Sequence, residues 1–304
     1  MLRKTTAFLI AFIFMTMWML HPAAATVEQG LHGRVVILDA GHGLDFTNIY
    51  EDYDEQVAML ALAYKIKPLL EARGAQVLMT RETEEEVPLP VRAAMINRWA
   101  LQATRDAGLG EAREIDRLLR IVQSVIDDPE ANAPVYINTP FDYTYTREIQ
   151  PDWRRVLECE DNPVVGGSFL VVSLHSNATP KPIDTSKNGA EAYYVSNSTE
   201  KNMNYYSNYS YEERSAYFGE LILSSISRLG IQKRAVKDYY YMIIREHNLP
   251  CVLVENGFHT NSEDREKLMD DSFLDRLALV YADTISFYFA TFRPPPEPID
   301  DVFG

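Results

Sequence analysis

The sequence predicts an α/β fold: a single domain with a mostly parallel twisted sheet covered by helices on both faces, plus a partly helical insertion. Short apolar runs of strand length alternate along the chain with longer stretches of helical periodicity. Such alternation is typical of a parallel sheet whose strands are connected by helices. The runs at 35–38, 169–172 and 252–254 contain only apolar residues, as expected of buried strands.

Each predicted element follows from its own local pattern. A helix is expected to start at Glu55, because Asp54 is a suitable N-cap and apolar residues then recur at helical spacing until Gly74. The other predicted helices cover about 91–101, 211–229 and 263–289. Strands are predicted at 35–38, 76–79, 170–172, 191–195 and 251–255.

The two ends of the chain are expected to lie outside the domain, which covers 26–292. Arg3 and Lys4 precede an apolar run at 7–20, and three alanines follow at 23–25, a pattern that predicts a secretory signal peptide over residues 1–25. An uncleaved membrane anchor is the alternative, but the run is shorter than the roughly 20 residues that a span needs. Residues 293–304 form a Pro-rich tail that is expected to be extended.

Residues 102–165 are predicted to be an insertion, because strand-to-helix connections are usually much shorter. A one-sided apolar stripe within it predicts a helix, formed by Ile115, Leu118, Leu119, Val122, Val125 and Ile126. One interpretation is a surface helix packed on the domain, and the other is a flap that covers a functional cleft.

A histidine follows the first predicted strand, and a glutamate starts the helix after it. His42 lies between two glycines directly after the run at 35–38, which puts an imidazole at the carboxyl edge of the sheet. Glu55 is expected in the first turn of the next helix, close to that loop. Taken singly, His42 is more often a loop residue, and Glu55 more often complements the helix dipole.

Two later strands end in the same kinds of residue. His175 follows the run at 169–172, and Glu255 follows the run at 252–254. Two histidines and two glutamates at element ends match a catalytic zinc site, in which three protein ligands leave a position open for water and a separate carboxylate handles the proton.

These motifs together resemble the zinc-dependent N-acetylmuramoyl-L-alanine amidases of the bacterial cell wall, of the amidase-3 type. The resemblance rests on VVILDAGHG, the following Glu55, SLHSNA and LVENGF, and it extends from about Arg34 to Phe289 apart from the insertion. Further similar stretches are VLMTR at 77–81, NGAEAY at 188–193 and KRAVK at 233–237.

The resemblance implies a role for each of these residues. Residues 26–292 would be an amidase-like catalytic domain, with Zn²⁺ bound by His42, Glu55 and His175 and with Glu255 as the catalytic carboxylate. Asn177, Arg81 and Arg234 would contact substrate. The implied reaction is hydrolysis of the amide between N-acetylmuramic acid and L-alanine of peptidoglycan.

Two other functions stay open from the sequence. A zinc peptidase acting on peptidoglycan stem peptides would use the same metal ligands, and a non-catalytic wall-binding regulator would not need them to react. Peptidoglycan or muropeptides are the expected substrate, and a protein activator is a further candidate partner. The predicted leader points to export, to the periplasm or the extracellular cell-wall space.

The net charge of the chain also limits the expected classes of partner. The formal net charge is −15, and loss of Arg3 and Lys4 with the leader would take it to −17. Such an acidic chain disfavours nucleic acid and anionic membranes as partners, and no membrane association is expected after signal cleavage.

Other polar and aromatic residues have less specific patterns. The tyrosines at 205–211 could stack on sugars or could simply belong to a polar loop that precedes the next helix. Tyr143, Tyr145 and Trp153 could line a groove for glycan or peptide, or could be packing residues. His247 and His259 are expected to be loop histidines, because the resemblance already supplies three ligands. Cys159 and Cys251 leave a single disulfide open, although Cys251 is expected to be a buried free thiol.

Overall fold

The computed structural model describes residues 30–43, 48–137, 148–199 and 205–292. The predicted signal peptide and the Pro-rich tail lie outside these ranges, as do Tyr143 and Tyr145. Among the helices within the described ranges, none is both long enough and apolar enough to cross a membrane.

A six-stranded sheet forms the centre of the fold. The strands of the described chain are β1 (Val35–Ala40), β2 (Ile49–Tyr50), β3 (Tyr53–Asp54), β4 (Gln76–Met79), β5 (Phe169–Asn177), β6 (Ala190–Tyr194), β7 (Lys233–Asp238) and β8 (Cys251–Phe258). Their order in the sheet is β4-β1-β5-β8-β6-β7, while β2 and β3 form a separate hairpin. All neighbours in the large sheet are parallel except β6 and β8, so the predicted mostly parallel sheet is confirmed.

Helices cover both faces of this sheet, as predicted. They are α1 (Glu55–Glu71), α2 (Leu89–Asp106), α3 (Ala112–Asp127), α4 (Pro129–Tyr136), α5 (Pro151–Cys159), α6 (Pro163–Ser168), α7 (Glu212–Ile226), α8 (Met242–Arg245), α9 (Ser262–Met269) and α10 (Asp271–Thr291). On one face α1, α7 and α10 pack against alternate strand residues such as Val36 and Leu38. On the other face α2, α3, α5 and α8 pack against Ile37 and Val171. Because both faces are buried, the strands are continuously apolar.

The helix predicted within the insertion is α3, and its apolar stripe is part of the second core. Ile115, Leu118, Val122 and Val125 are each at most 2% exposed. Trp153 on α5 is fully buried in the same core. The structure therefore favours the packed-helix interpretation of this stripe over the flap.

The tyrosines at 205–211 are packing residues as well. Tyr205, Tyr206, Tyr209 and Tyr211 are all buried, and Tyr205 donates a hydrogen bond to the Glu246 carboxylate. None of these four rings offers an open face to a sugar.

The carboxyl-terminal helix differs from its prediction. A single helix was expected over 263–289, but the structure has two helices that meet at Asp270. The Asp270 side chain accepts hydrogen bonds from the backbone N–H groups of Ser272 and Phe273, so it caps the start of α10. The two cysteines are both free thiols, and Cys251 is buried as expected.

Candidate active site

Three residues predicted to bind metal come together at the carboxyl edge of the sheet. His42 follows β1, Glu55 is the first residue of α1, and His175 lies near the end of β5. Glu55 Oε1 is 3.4 Å from His42 Nε2 and 3.1 Å from His175 Nδ1. One donor atom from each of the three side chains lies within 4.8 Å of the others.

The start of α1 is arranged to present Glu55. The Asp54 side chain accepts a hydrogen bond from the Gln56 N–H at 3.2 Å, so the predicted N-cap is confirmed and Glu55 enters the site from the first turn. The Ser176 N–H donates to Glu55 Oε1 at 2.9 Å, and the Asn48 amide donates to Oε2 at 2.9 Å. Asn48 Nδ2 is also 3.0 Å from His42 Nε2.

These contacts keep the Glu55 carboxyl ionised. Burial alone would raise its pKa, but hydrogen bonds and charge interactions with His175 and His42 outweigh burial and hold the pKa well below its usual range. A carboxylate and two imidazoles in reach of one point form a donor set suited to Zn²⁺.

The loop that carries His42 has a special backbone conformation. His42 has φ 57°, in the left-handed region, where a non-glycine residue needs support from its surroundings. Gly41 beside it is required by space, because a Cβ there would collide with the His175 imidazole. The absence of a side chain at Gly41 therefore lets the two histidines approach.

Two buried guanidinium groups hold this loop from beneath. Arg92 donates to the carbonyl oxygens of Ala40 and His42 and forms a buried ion pair with Asp39, at 3.2 Å between Nη1 and Oδ1. Arg81 donates to the carbonyl oxygens of Ala40 and Gly41 at 3.2 and 3.0 Å. Asp39 can keep its charge because Arg92, Ser173 and Thr80 outweigh burial and lower its pKa.

Arg81 was predicted to contact substrate, and the structure puts it beneath the loop. It is only 1% exposed, and its guanidinium also donates to the carbonyl oxygens of Thr83 and Gln56. This arrangement favours a role in holding the His42 loop, and contact with substrate stays a prediction.

Glu255 lies directly beside His175, because the two residues are paired in the register of β5 and β8. Its Oε2 atom is buried and has no hydrogen-bond partner among the described residues. Burial, together with the negative charges of Glu55 and Glu191, raises its pKa to about 8. An unpaired carboxyl oxygen next to the three donors has the chemistry expected of a proton-transfer group.

A cavity of about 290 Å³ adjoins these residues. It is lined by the polar or charged side chains of Asp39, His42, Glu86, Arg92, His175 and Glu255, and by Leu89, Tyr241, Met242, Ile243 and Leu253. The cleft therefore combines apolar lining residues with a few polar groups beside the candidate ligands, as ligand pockets commonly do.

Asn177 and Arg234, also predicted to contact substrate, both bind one carboxylate. Arg234 Nε donates to Glu191 Oε1 at 2.6 Å, and Asn177 Nδ2 donates to Oε2 at 3.4 Å. Lys237 and Tyr193 also bind Glu191 Oε2, at 2.8 and 2.6 Å. Contact of Asn177 or Arg234 with substrate stays a prediction.

Glu191 is a further site residue, for which the sequence motifs predicted no role. The residue is paired with Glu255 across β6 and β8, so it stands in the same row as His175 and Glu255. Burial would raise its pKa, but Lys237, Tyr193 and Arg234 lower it on balance. The only sequence signal was its place in the stretch NGAEAY, which the resemblance to the family had already marked.

His247 and His259, both expected to be loop histidines, have structural partners. His247 is fully buried and its Nε2 lies 2.9 Å from the carbonyl oxygen of Ile243. His259 Nδ1 is 3.0 Å from Ser176 Oγ, and its ring stacks on Tyr53 at 5.2 Å between centroids. Within the described ranges, the candidate metal cluster consists of His42, Glu55 and His175 alone.

Comparison with known proteins identifies one family pattern along most of the domain. The amidase-3 family, described as N-acetylmuramoyl-L-alanine amidase, matches residues 36–104 and 165–286. The matched stretches contain His42, Glu55, His175 and Glu255. The unmatched stretch between them lies within the predicted insertion.

Curated relatives match over part of their own length. The N-acetylmuramoyl-L-alanine amidase AmiC of Neisseria meningitidis is 24% identical over 269 residues, which cover 86% of this chain and 55% of AmiC. The amidase LytC of Bacillus subtilis is 31% identical over 121 residues, which cover 39% of this chain and 21% of LytC. The chain thus spans about half the length of the first relative and about a fifth of the second.

Solved structures of similar fold include two amidases. Ami1 of Mycobacterium smegmatis gives a TM-score of 0.54 at 14% identity, covering 86% of this chain and 100% of Ami1. An N-acetylmuramoyl-L-alanine amidase of Clostridium difficile 630 gives a TM-score of 0.53 at 17% identity. The match covers 86% of this chain and 98% of that amidase. At these identities the likeness shows the fold.

Proposed function

Because the chain belongs to the amidase-3 family of N-acetylmuramoyl-L-alanine amidases, we propose that it hydrolyses the amide between N-acetylmuramic acid and L-alanine in peptidoglycan. The observation that carries this proposal is the cluster of His42, Glu55 and His175, with the buried Glu255 carboxyl, whose Oε2 has no hydrogen-bond partner among the described residues, beside it. Such a combination is what metal-assisted amide hydrolysis needs.

The proposed cofactor is Zn²⁺, held by His42, Glu55 and His175. When bound, zinc supplies Lewis acidity toward a carbonyl oxygen and lowers the pKa of a coordinated water. The ionised state of Glu55 and the shared reach of the three donors fit this ion. Asn48 would orient Glu55 through Oε2, as outer groups around metal ligands commonly do.

Glu255 is proposed to move the proton. Its carboxylate would take a proton from the attacking water and deliver one to the nitrogen of the leaving L-alanine. With a pKa near 8 it would hold the proton too firmly at neutral pH, but a divalent cation next to it favours the ionised form. Glu255 would thus become a competent base when the metal is present.

The apolar wall of the cleft is proposed to hold the substrate and exclude water. Leu89, Met242 and Leu253 line the same cavity as His42, His175 and Glu255. Exclusion of bulk water strengthens electrostatic interactions around the scissile amide.

A digest of purified disaccharide-peptide muropeptides tests the reaction. Mass spectrometry should find intact disaccharide and a peptide with a free L-alanine amino terminus, because an amidase cuts at the lactyl amide. A stem-peptide peptidase would leave L-alanine on the sugar, and a non-catalytic regulator would leave the muropeptide intact. Protein stripped of metal with a chelator, then reloaded with Zn²⁺, is the matched control and should lose and regain activity.

Export is proposed together with this function. Peptidoglycan lies outside the cytoplasm, and the pattern over residues 1–25 is that of a cleaved leader. Expression in a bacterial host, followed by mass analysis of the exported protein, should find cleavage near Ala25. A protein activator stays a prediction.

A further inference from the structure

Three consecutive tyrosines lie at the mouth of the cleft, between β7 and α8. Tyr239 and Tyr240 are stacked, with ring centroids 4.6 Å apart and an interplanar angle of 25°. Tyr241 lies 4.4 Å from Tyr239, and the buried Tyr193 meets both of these rings edge to face. The three residues, called here the tyrosine platform, form one cluster of rings that pack on one another and on Tyr193.

This aromatic cluster is partly exposed to solvent. Tyr239 is 37% exposed and Tyr241 is 38% exposed. By contrast, Tyr205, Tyr206, Tyr209 and Tyr211 are all 9% exposed or less. Exposed aromatic residues grouped next to a cleft indicate a binding surface more often than singly scattered ones do.

The platform is continuous with the candidate active site. Tyr241 lines the cleft together with His175 and Glu255, while Tyr239 contacts Tyr241 and carries Tyr240 stacked on its ring. In a muramoyl amide only a lactyl group separates the scissile bond from the pyranose ring. A sugar whose amide reaches the metal centre must therefore lie within a few ångströms of the cleft wall.

The chemistry of the surface favours a neutral ring over a charged peptide. Arg234 and Lys237, which flank β6 and the platform, are both paired with Glu191, at 2.6 and 2.8 Å. A stem peptide carries carboxylates that need cations, whereas a pyranose has an apolar C–H face and a polar rim. Tyrosine has the matching form, with an apolar ring and a hydroxyl at its tip.

We propose that the tyrosine platform binds a pyranose of the glycan strand by stacking, and thereby holds the sugar side of the substrate next to the metal centre. Its identification with glycan rests on the proposed function. Tyr241 would bind the sugar that carries the scissile amide, and Tyr239 would bind the next sugar along the strand.

Binding of chitotetraose, a β-1,4-linked N-acetylglucosamine tetramer, measured by isothermal titration calorimetry tests the platform. The probe has no lactyl amide and cannot be hydrolysed, so the result does not depend on catalysis. Tyr239→Ala should weaken binding by about tenfold or more, as loss of one aromatic stacking contact predicts. Tyr239→Phe should bind within about twofold of the unchanged protein, because the ring is kept. Comparison of its affinity with that of Tyr239→Ala therefore isolates the effect of losing the ring.

Tyr64→Ala is the matched control, since Tyr64 is an exposed tyrosine on α1, 46% exposed, and its removal should leave binding unchanged. Equal affinity for Tyr239→Ala and the unchanged protein would overturn the platform, as would binding of a peptidoglycan stem peptide in place of chitotetraose. If chitotetraose binds as expected while muropeptides stay intact, the platform stands and the proposed amidase activity falls. If muropeptides are cleaved but chitotetraose does not bind, the amidase activity stands and the platform falls.

Discussion

His175 and Glu255 are paired residues on the neighbouring parallel strands β5 and β8. A candidate metal ligand and a candidate proton carrier are therefore held side by side by sheet hydrogen bonds, with Glu191 next in the same row. Groups carried by strands are positioned more accurately than groups carried by loops. The site thus depends on a rigid sheet edge for two of its four residues.

Replacing Glu255 by Gln should separate metal binding from hydrolysis. The amide cannot take a proton from water, so muropeptide turnover should fall by at least about a hundredfold, while bound zinc stays equal to that of the unchanged protein. His175→Ala should lose both bound zinc and turnover, because it removes a proposed ligand. Zinc content and turnover, measured on the same preparations, check both variants, and full activity in Glu255→Gln would end the proposed mechanism.

Asn48→Ala should weaken zinc binding without removing a ligand. The Asn48 amide fixes Glu55 through a hydrogen bond of 2.9 Å to Oε2. Loss of such an outer partner commonly reduces metal affinity by about 10–100-fold. Competition with a chromophoric chelator measures the affinity, and an unchanged dissociation constant would show that Asn48 does not orient the ligand.

Arg92→Met should destabilise the fold strongly. The variant leaves the buried Asp39 carboxylate without its ion-pair partner, a change that costs about 3–5 kcal/mol. Arg105→Met on the same helix is the matched control, because the pair of Arg105 with Asp116 is exposed and should contribute less than about 1 kcal/mol. Urea unfolding gives both free energies, and similar values for the two variants would contradict a supporting role for the Asp39–Arg92 pair.

Leu118→Ala should show that the insertion is part of the core. Leu118 is fully buried, and its truncation should lower the free energy of unfolding by about 2–5 kcal/mol. Leu279→Ala, at a position 46% exposed on α10, should change it by less than about 0.5 kcal/mol. A Leu118→Ala protein of unchanged stability and faster turnover would instead support a gate.

Glu160→Gln should flatten the dependence of stability on pH. Glu160 is fully buried, its Oε1 has no hydrogen-bond partner within the described residues, and burial raises the pKa of its carboxyl well above the ordinary value. The folded state then holds a proton that the unfolded chain releases above a pH of about 4.5, so folding becomes less favourable as pH rises. The melting temperature of Glu160→Gln relative to the unchanged protein should therefore increase between pH 5 and pH 8, and a constant difference would contradict this.

Local sequence patterns predicted the structure correctly where a pattern is typical of a single kind of structural element. Continuous apolar runs predicted strands buried on both faces, and His42, His175 and Glu255 could be found because each follows such a run. Asp54 likewise predicted the start of α1. In all these cases the signal lies within a few residues of the feature.

Features that depend on distant neighbours were not predictable in this way. Glu191 gains its significance from Arg234 and Lys237 on another strand, and a single glutamate in a strand has no local mark of that. The tyrosines at 205–211 and at 239–241 look alike in sequence, and only tertiary packing buries the first group while exposing the second. Asp270 was a missed local signal, since aspartate is a favoured N-cap.

The helices α3 and α5 have a consequence for the cleft wall. They pack in the same core as α8, whose Met242 and Ile243 line the cleft beside the candidate site, so the shape of the cleft depends on helices whose described residues do not line it. The family pattern does not extend over 105–164. The candidate ligands thus lie within the stretches that match the family, whereas α3 and α5 lie outside them. Selection on substrate fit could therefore act through residues of the insertion while leaving every site residue unchanged.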